Sequence, residues 1–300
     1  MVFEEPGPVT DRIRMLGSRL SCLYLLDGGT SLALLGGGMA TVIPQVDAQI
    51  AALDIDAERI QQLVILHAHF DHCGIVPYFK RKWPWLEITA SARAAELLAT
   101  PRVIDSVRRL NQMIAAEQML KDERIDRGLR DFHIDIDTTV AEGDVLECGD
   151  RPLQVMETPG HSSCSICLYE PVEKALFTSD AAGIPFGRYV FTAANSNYDR
   201  YLESLKCLAA MDADIVLAEH QGARQGRDCR EFFNVSLRSA EKTRHLLETS
   251  YARTGDVQES TREVTAQVLE NAPPGFLPAS VVSLVVGQML RYLSRNVSKV

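Results

Sequence analysis

The run His67-Ala68-His69-Phe70-Asp71-His72-Cys73 gathers four side chains of metal-ligand type, His67, His69, Asp71 and His72, and holds three of the seven histidines in a chain of 300 residues. Imidazole nitrogen and carboxylate oxygen suit zinc, iron or manganese. In an extended segment alternate side chains point the same way, so His67 and His69 can grip one ion together. Once the chain turns, Asp71 and His72 can face a second ion. Three more residues of ligand type, His161, Asp180 and His220, each stand at the end of a stretch that reads as a strand. We divide the seven into His67, His69 and His161 for one ion and Asp71, His72 and His220 for the other, with Asp180 bridging. Two adjacent divalent ions activate water and polarise a carbonyl or phosphoryl oxygen, which is the chemistry of ester-like bond hydrolysis. Asp71 and Asp180 are the candidate catalytic carboxylates.

The elements that must position these residues follow from patterning. The aliphatic run before His67 is too short for a helix and reads as a buried strand, so the cluster sits where a strand gives way to a loop. In open α/β sheets ligands bind beyond the carboxyl ends of strands. Residues 12–16, 20–26 and 31–35 read as strands, with Asp27-Gly28-Gly29 as a turn. Gly36-Gly37-Gly38 permits a tight turn or a close backbone approach. Residues 42–53 carry helical spacing, and a helix starting at residue 75 must end by Pro84. Residues 86–90 read as a strand, with Ser91 capping a helix over 92–99. Pro101 opens a long helical pattern reaching about residue 123. Residues 121–131 look like a solvated linker. Residues 134–137, 153–156, 166–169, 175–178 and 215–217 read as strands, residues 142–144 and 148–150 as turns and residues 199–211 as a helix. Past Arg230 three helical patterns follow. The chain therefore reads as an α/β domain over residues 1–228 with a helical C-terminal appendage over 229–300.

Composition bounds the rest. A net charge of −9 argues against a nucleic-acid partner, which wants a basic face, and against binding to anionic membranes. The N-terminal residues lack the pattern of a secretory signal and no run of 18 apolar residues occurs. Seven scattered cysteines fit a reducing compartment, so the expectation is cytoplasmic. Cys164 and Cys167 have C-x-x-C spacing without a second pair and read as packed thiols, as does Cys73. His133 and His245 read as surface residues.

The motif His67-x-His69-x-Asp71-His72 followed by His161, Asp180 and His220 resembles the metallo-β-lactamase superfamily, over about residues 10–225. The resemblance implies an αββα sandwich with a dinuclear site at one edge of its two sheets. A closer likeness lies in Arg109-Leu110-Asn111-Gln112, Tyr201-Leu202-Glu203-Ser204-Leu205 and Phe276-Leu277-Pro278. These segments look like the 2-aminobenzoylacetyl-CoA thioesterases of alkylquinolone signal formation. That likeness implies a thioester substrate, two divalent metal ions, a homodimer and contact with a LuxR-type transcription regulator. The basic cluster for that contact is matched only around Arg244. Phe70, Ile184 and Asn195 depart from the relatives' side chains and, with Phe276, are the candidate substrate-pocket residues. An N-acyl homoserine lactone hydrolase, and a binding protein acting through a regulator with weak hydrolysis, are the alternatives.

Overall fold

A computed structural model describes residues 1–297 of the chain. It divides into two compact units. The first comprises residues 1–157, 164–179 and 213–226 and is built on two seven-stranded sheets. One sheet takes β2 (Gly7–Pro8), β3 (Ile13–Ser18), β4 (Ser21–Asp27), β5 (Leu32–Leu35), β6 (Ile60–Ile65), β7 (Glu87–Ser91) and β8 (Thr138–Val140) in sequence order. The pairs from β2 to β5 are antiparallel and those from β5 to β8 parallel. The other sheet runs β1 (Val2–Phe3), β16 (Ala223–Gln225), β15 (Ile215–Leu217), β12 (Ala175–Phe177), β11 (Ile166–Glu170), β10 (Arg151–Glu157) and β9 (Val145–Cys148).

The alternation of side chains along the strands explains the layering. In the first sheet Met15, Tyr24, Leu26, Leu35 and Val64 point into one core, where they meet Leu153, Val155, Leu168, Phe177 and Leu217 of the second sheet. The intervening residues Leu16, Leu23, Leu25, Leu34, Leu63 and Ile65 point the opposite way. They pack there with residues of α1 (Ile43–Ala51), α2 (Val76–Lys82), α3 (Ala92–Leu98), α4 (Pro101–Glu117) and α5 (Glu123–Leu129). Burial on both faces is why these strands read as nearly unbroken aliphatic runs.

Three local expectations are corrected. The long helix ends at Glu117; Met119 takes a positive φ of 51°, which stops it. The stretch expected to be a solvated linker contains α5, capped by Asp122, whose side chain accepts from the Arg124 N–H, and anchored by buried Ile125 and Leu129. Residues 134–137 lie outside the sheet, because the Asp137 carboxylate takes the Ile88 N–H at 2.8 Å and strand pairing begins only at Thr138. Between the turns signalled at 142–144 and 148–150 runs a further strand, β9.

The second unit comprises residues 158–163, 180–212 and 227–300. It contains the hairpin β13 (Ile184–Phe186) and β14 (Tyr189–Phe191) and helices α6 (Tyr198–Ala209), α7 (Arg227–Thr254), α8 (Val257–Glu270) and α9 (Ala279–Val297). The expected boundary after residue 228 falls two residues into α7. Asp199 on α6 ties the helices together, accepting from Arg244 Nη1 on α7 at 2.6 Å and from the Tyr292 hydroxyl on α9 at 2.8 Å. Among the described residues no helix is long and apolar enough to cross a membrane.

Candidate metal centre

Strand β6 ends at Ile65, and the chain passes through His67 and His69 into a single turn of 3-10 helix, Phe70–His72. Extended backbone puts the two histidines on one side. His67 Nε2 and His69 Nδ1 lie 3.1 Å apart. The tight turn then redirects Asp71 and His72 toward His220, which follows β15. Asp71 Oδ2 lies 3.5 Å from His72 Nε2 and 3.4 Å from His220 Nε2, and the two Nε2 atoms are 3.2 Å apart. Four-coordinate zinc with ligand bonds of about 2.0–2.1 Å has ligand–ligand edges of about 3.3 Å. The Asp71–His72–His220 triangle already has those edges, so its donors fit a divalent cation without rearrangement. Burial by itself would raise the Asp71 pKa. The charge of His72 and the hydrogen bonds from His220 and His72 outweigh it and hold the carboxyl well below its ordinary range, in the state a metal ligand needs.

The ligand loop is held from behind. Gly74 N–H and Ile75 N–H donate to the Gly38 and Gly37 carbonyls at 2.7 and 3.1 Å. A Cβ on Gly37 would stand 2.4 Å from the His72 carbonyl oxygen. The glycine run is thus a docking edge for the loop. Asn111 of α4, fully buried, donates to the Phe70 carbonyl at 2.7 Å and accepts from the Ala40 N–H at 2.8 Å.

In the second unit, His161 and Asp180 form a corresponding pair, with Nε2 and Oδ2 3.5 Å apart and both side chains buried. His161 Nδ1 donates to the Ala193 carbonyl at 2.8 Å, which leaves Nε2 as the nitrogen able to face a cation. Of the candidate pocket residues, Phe70 belongs to the ligand turn of the first unit. The others lie in the second: Ile184 pairs with Phe191 across the hairpin. Phe276 meets the rings of Phe186, Tyr189 and Phe191 edge-on at centroid distances of 4.7, 5.5 and 5.4 Å. Among the described residues the buried Asn195 Oδ1 meets no hydrogen-bond donor. Arg244 is engaged inside its own unit by Asp199 and Glu248. No disulfide joins the cysteines among the described residues. Burial pushes the Cys73 thiol far up, so it stays protonated. His133 is exposed, and so is His245.

Two residues that sequence reasoning passed over stand at the heart of the cluster. Glu219 is 1% exposed and places Oε2 3.0 Å from His72 Nδ1. The Ser179 hydroxyl donates to the same oxygen and lies 3.1 Å from His67 Nδ1. His67, His72 and Glu219 could by spacing hold a cation of their own. The Ser179 oxygen, hydrogen-bonded to Glu219 and also within 3.5 Å of His72 Nδ1, sits among those atoms, so the group is a hydrogen-bonded support. The only sequence signal was adjacency: each directly precedes a ligand-type residue.

Comparison with known proteins agrees with this geometry. The family model of the Metallo-beta-lactamase superfamily matches residues 21–220. A bovine acyl-coenzyme A thioesterase MBLAC2 is 34% identical over 130 residues, 43% of this chain and 44% of the relative. A hydroxyacylglutathione hydrolase of Rhodopseudomonas palustris is 28% identical over 175 residues, 58% of this chain and 53% of the relative. The chain thus matches only about half the length of these curated relatives. Among solved structures, a beta-lactamase domain protein from Burkholderia ambifaria has a TM-score of 0.68 at 16% identity, covering 97% of this chain and 87% of its own. A metallo-beta-lactamase family protein from Thermus thermophilus has a TM-score of 0.65 at 17% identity, covering 98% and 94%. These likenesses establish the α/β sandwich fold. Since the family model runs from the opening of β4 to His220 and takes in every ligand-type residue described above, the chain belongs to the Metallo-beta-lactamase superfamily.

Proposed function

We propose that this chain is a dinuclear-metal hydrolase of acyl thioesters. The observation that carries the reading is the Asp71–His72–His220 triangle, whose edges of 3.2–3.5 Å suit a divalent cation. His67 and His69 would supply donors for a second ion, and the sequence motif assigns His161 and Asp180 to the same centre. Iron, zinc and manganese all suit such nitrogen and oxygen donors. When bound, the two ions supply the activated water and the Lewis acid of hydrolysis. The chain's own part is to hold Asp71 ionised, so that it ligates and orients the attacking water. It also fixes the imidazoles from behind, so that little reorganisation accompanies the reaction. A thiolate leaves readily, so the site needs no strong general acid.

The thioester reading draws support from relatives named as an acyl-coenzyme A thioesterase and a hydroxyacylglutathione hydrolase. The substrate we favour is 2-aminobenzoylacetyl-CoA or a related aroyl-acetyl thioester, placing the chain in alkylquinolone signal formation.

The test is thiol release from a synthetic aminobenzoylacetyl thioester by purified, metal-analysed protein, beside a saturated acyl-CoA and an N-acyl homoserine lactone. We expect two divalent ions per chain and thiol release that a chelator abolishes. Asp71→Ala and Asp180→Ala should each reduce turnover by at least ~100-fold, the scale on which losing a metal or its water costs rate. Lactone opening without thiol release would replace the thioesterase with a lactonase. Full turnover in either Asp variant would sink the site assignment.

A further inference from the structure

Glu219 and Ser179 ligate nothing in the reading above, yet they complete a single hydrogen-bonding chain behind both parts of the centre. His72 turns Nε2 toward Asp71 and His220, and His67 turns Nε2 toward His69. A neutral imidazole that offers Nε2 to a cation carries its proton on Nδ1. His72 Nδ1–H then donates to Glu219 Oε2 at 3.0 Å. His67 Nδ1–H donates to Ser179 Oγ at 3.1 Å, and the Ser179 hydroxyl passes its own proton's hydrogen bond to Glu219 Oε2. The Gly37 N–H donates to the other carboxylate oxygen at 3.3 Å. Each donor has an acceptor, and the chain converges on one carboxylate.

We infer that Glu219 is a positioning residue for both metal ions, holding His72 directly and His67 through Ser179. The inference rests on the dinuclear reading and deepens it. A carboxylate behind a ligating histidine fixes the ring's tautomer and orientation; here one carboxylate does so for two rings assigned to different ions.

The backbone is shaped around this arrangement. Ser179 holds a positive φ of 47° and Gln221 one of 60°, conformations that side chains other than glycine adopt only when their surroundings impose them. Gly36, at φ 95°, leaves the space the carboxylate occupies: a Cβ there would stand 2.4 Å from Glu219 Oε1. Three separate stretches, residues 36–37, 179 and 219, thus converge on one hydrogen-bonded unit that is itself buried.

The test reads metal binding on full-length protein loaded with two zinc ions, by competition with a chromophoric chelator, with folding followed by circular dichroism. Glu219→Leu should weaken both ions by 10- to 100-fold, the usual effect of losing such a support. Glu219→Gln keeps an oxygen for His72 and Ser179 while setting an amide against the Gly37 N–H, and should recover part of the loss. Ser179→Ala should weaken one ion and leave the other within about threefold. A folded Glu219→Leu variant that holds both ions as tightly as the parent overturns the inference. So does Ser179→Ala if it loosens both ions equally or neither, and that variant decides the matter should Glu219→Leu not fold. A parent protein that binds no divalent cation overturns the dinuclear reading and this inference together. A parent holding two ions, with the variants unchanged, overturns the inference alone.

Discussion

Asn111 shows how much a single buried amide can organise. Its side chain donates to the Phe70 and Val107 carbonyls and accepts from the Ala40 N–H, so it joins the ligand turn, the glycine loop and its own helix. There is no room to compensate, since a Cβ on Gly74 would come within 2.7 Å of its Oδ1. Asn111→Leu leaves a carbonyl and an N–H without their partner in a dry site, each costing about 1–3 kcal/mol. We expect a loss of about 2–4 kcal/mol in urea unfolding of the metal-free protein. A loss below about 0.5 kcal/mol would mean that the turn holds its shape without the amide. The histidines and Asp71 stand out in the sequence because their types are rare and their spacing matches a strand running into a turn. Ser179 and Glu219 do not stand out, and Asn111 enters only within a segment of likeness, because each acts on a partner 40 or more residues away and no local pattern records that.

At the scale of elements, what could be read depended on length. Strands β3 to β7 bury both faces or alternate cleanly, so their aliphatic runs and bounding glycines gave them away. Helix α5 has seven residues and only two turns, so Ile125 and Leu129 are too few to mark a stripe among eight charged neighbours of residues 121–131. The hairpin of β13 and β14 was missed for the same reason, with three residues to each strand. Helix α5 is nonetheless part of the main core: Ile125 is 3% exposed, and a Cβ on Gly128 would press within 2.6 Å of Ile43 Cδ1. Ile125→Ala should therefore cost about 2–4 kcal/mol, as deleting a buried aliphatic side chain does, read as a lower midpoint with an unchanged denaturant slope. An effect below about 0.5 kcal/mol would return this stretch to the status of a linker.

At the scale of the whole molecule, the change of pattern near residue 228 marks where the long helices begin, but not which earlier residues share a unit with them. The chain passes between its two compact units five times, after residues 157, 163, 179, 212 and 226. Residues 180–212 therefore depend on helices that come later in the chain. Tyr198, fully buried, donates its hydroxyl to the Ala240 carbonyl at 2.7 Å and lies under the Arg244 guanidinium. Ser239 of α7 donates to the Val190 carbonyl of β14 at 2.6 Å, and Asp199 is bound by α7 and α9. Ending the chain after Gly226 strips all of these at once. Re-exposing large apolar side chains costs about 1.5–3 kcal/mol each, so the loss of a few already approaches the total stability of a typical domain, about 5–15 kcal/mol. A chain of residues 1–226 should then lack a cooperative thermal transition, bind a hydrophobic dye and elute as aggregate, while the full chain melts sharply. A sharp melt and a monomeric elution of the shortened chain would show that residues 180–212 need none of the later helices to stay folded. The helices from α7 onward would then be an appendage to a domain complete without them.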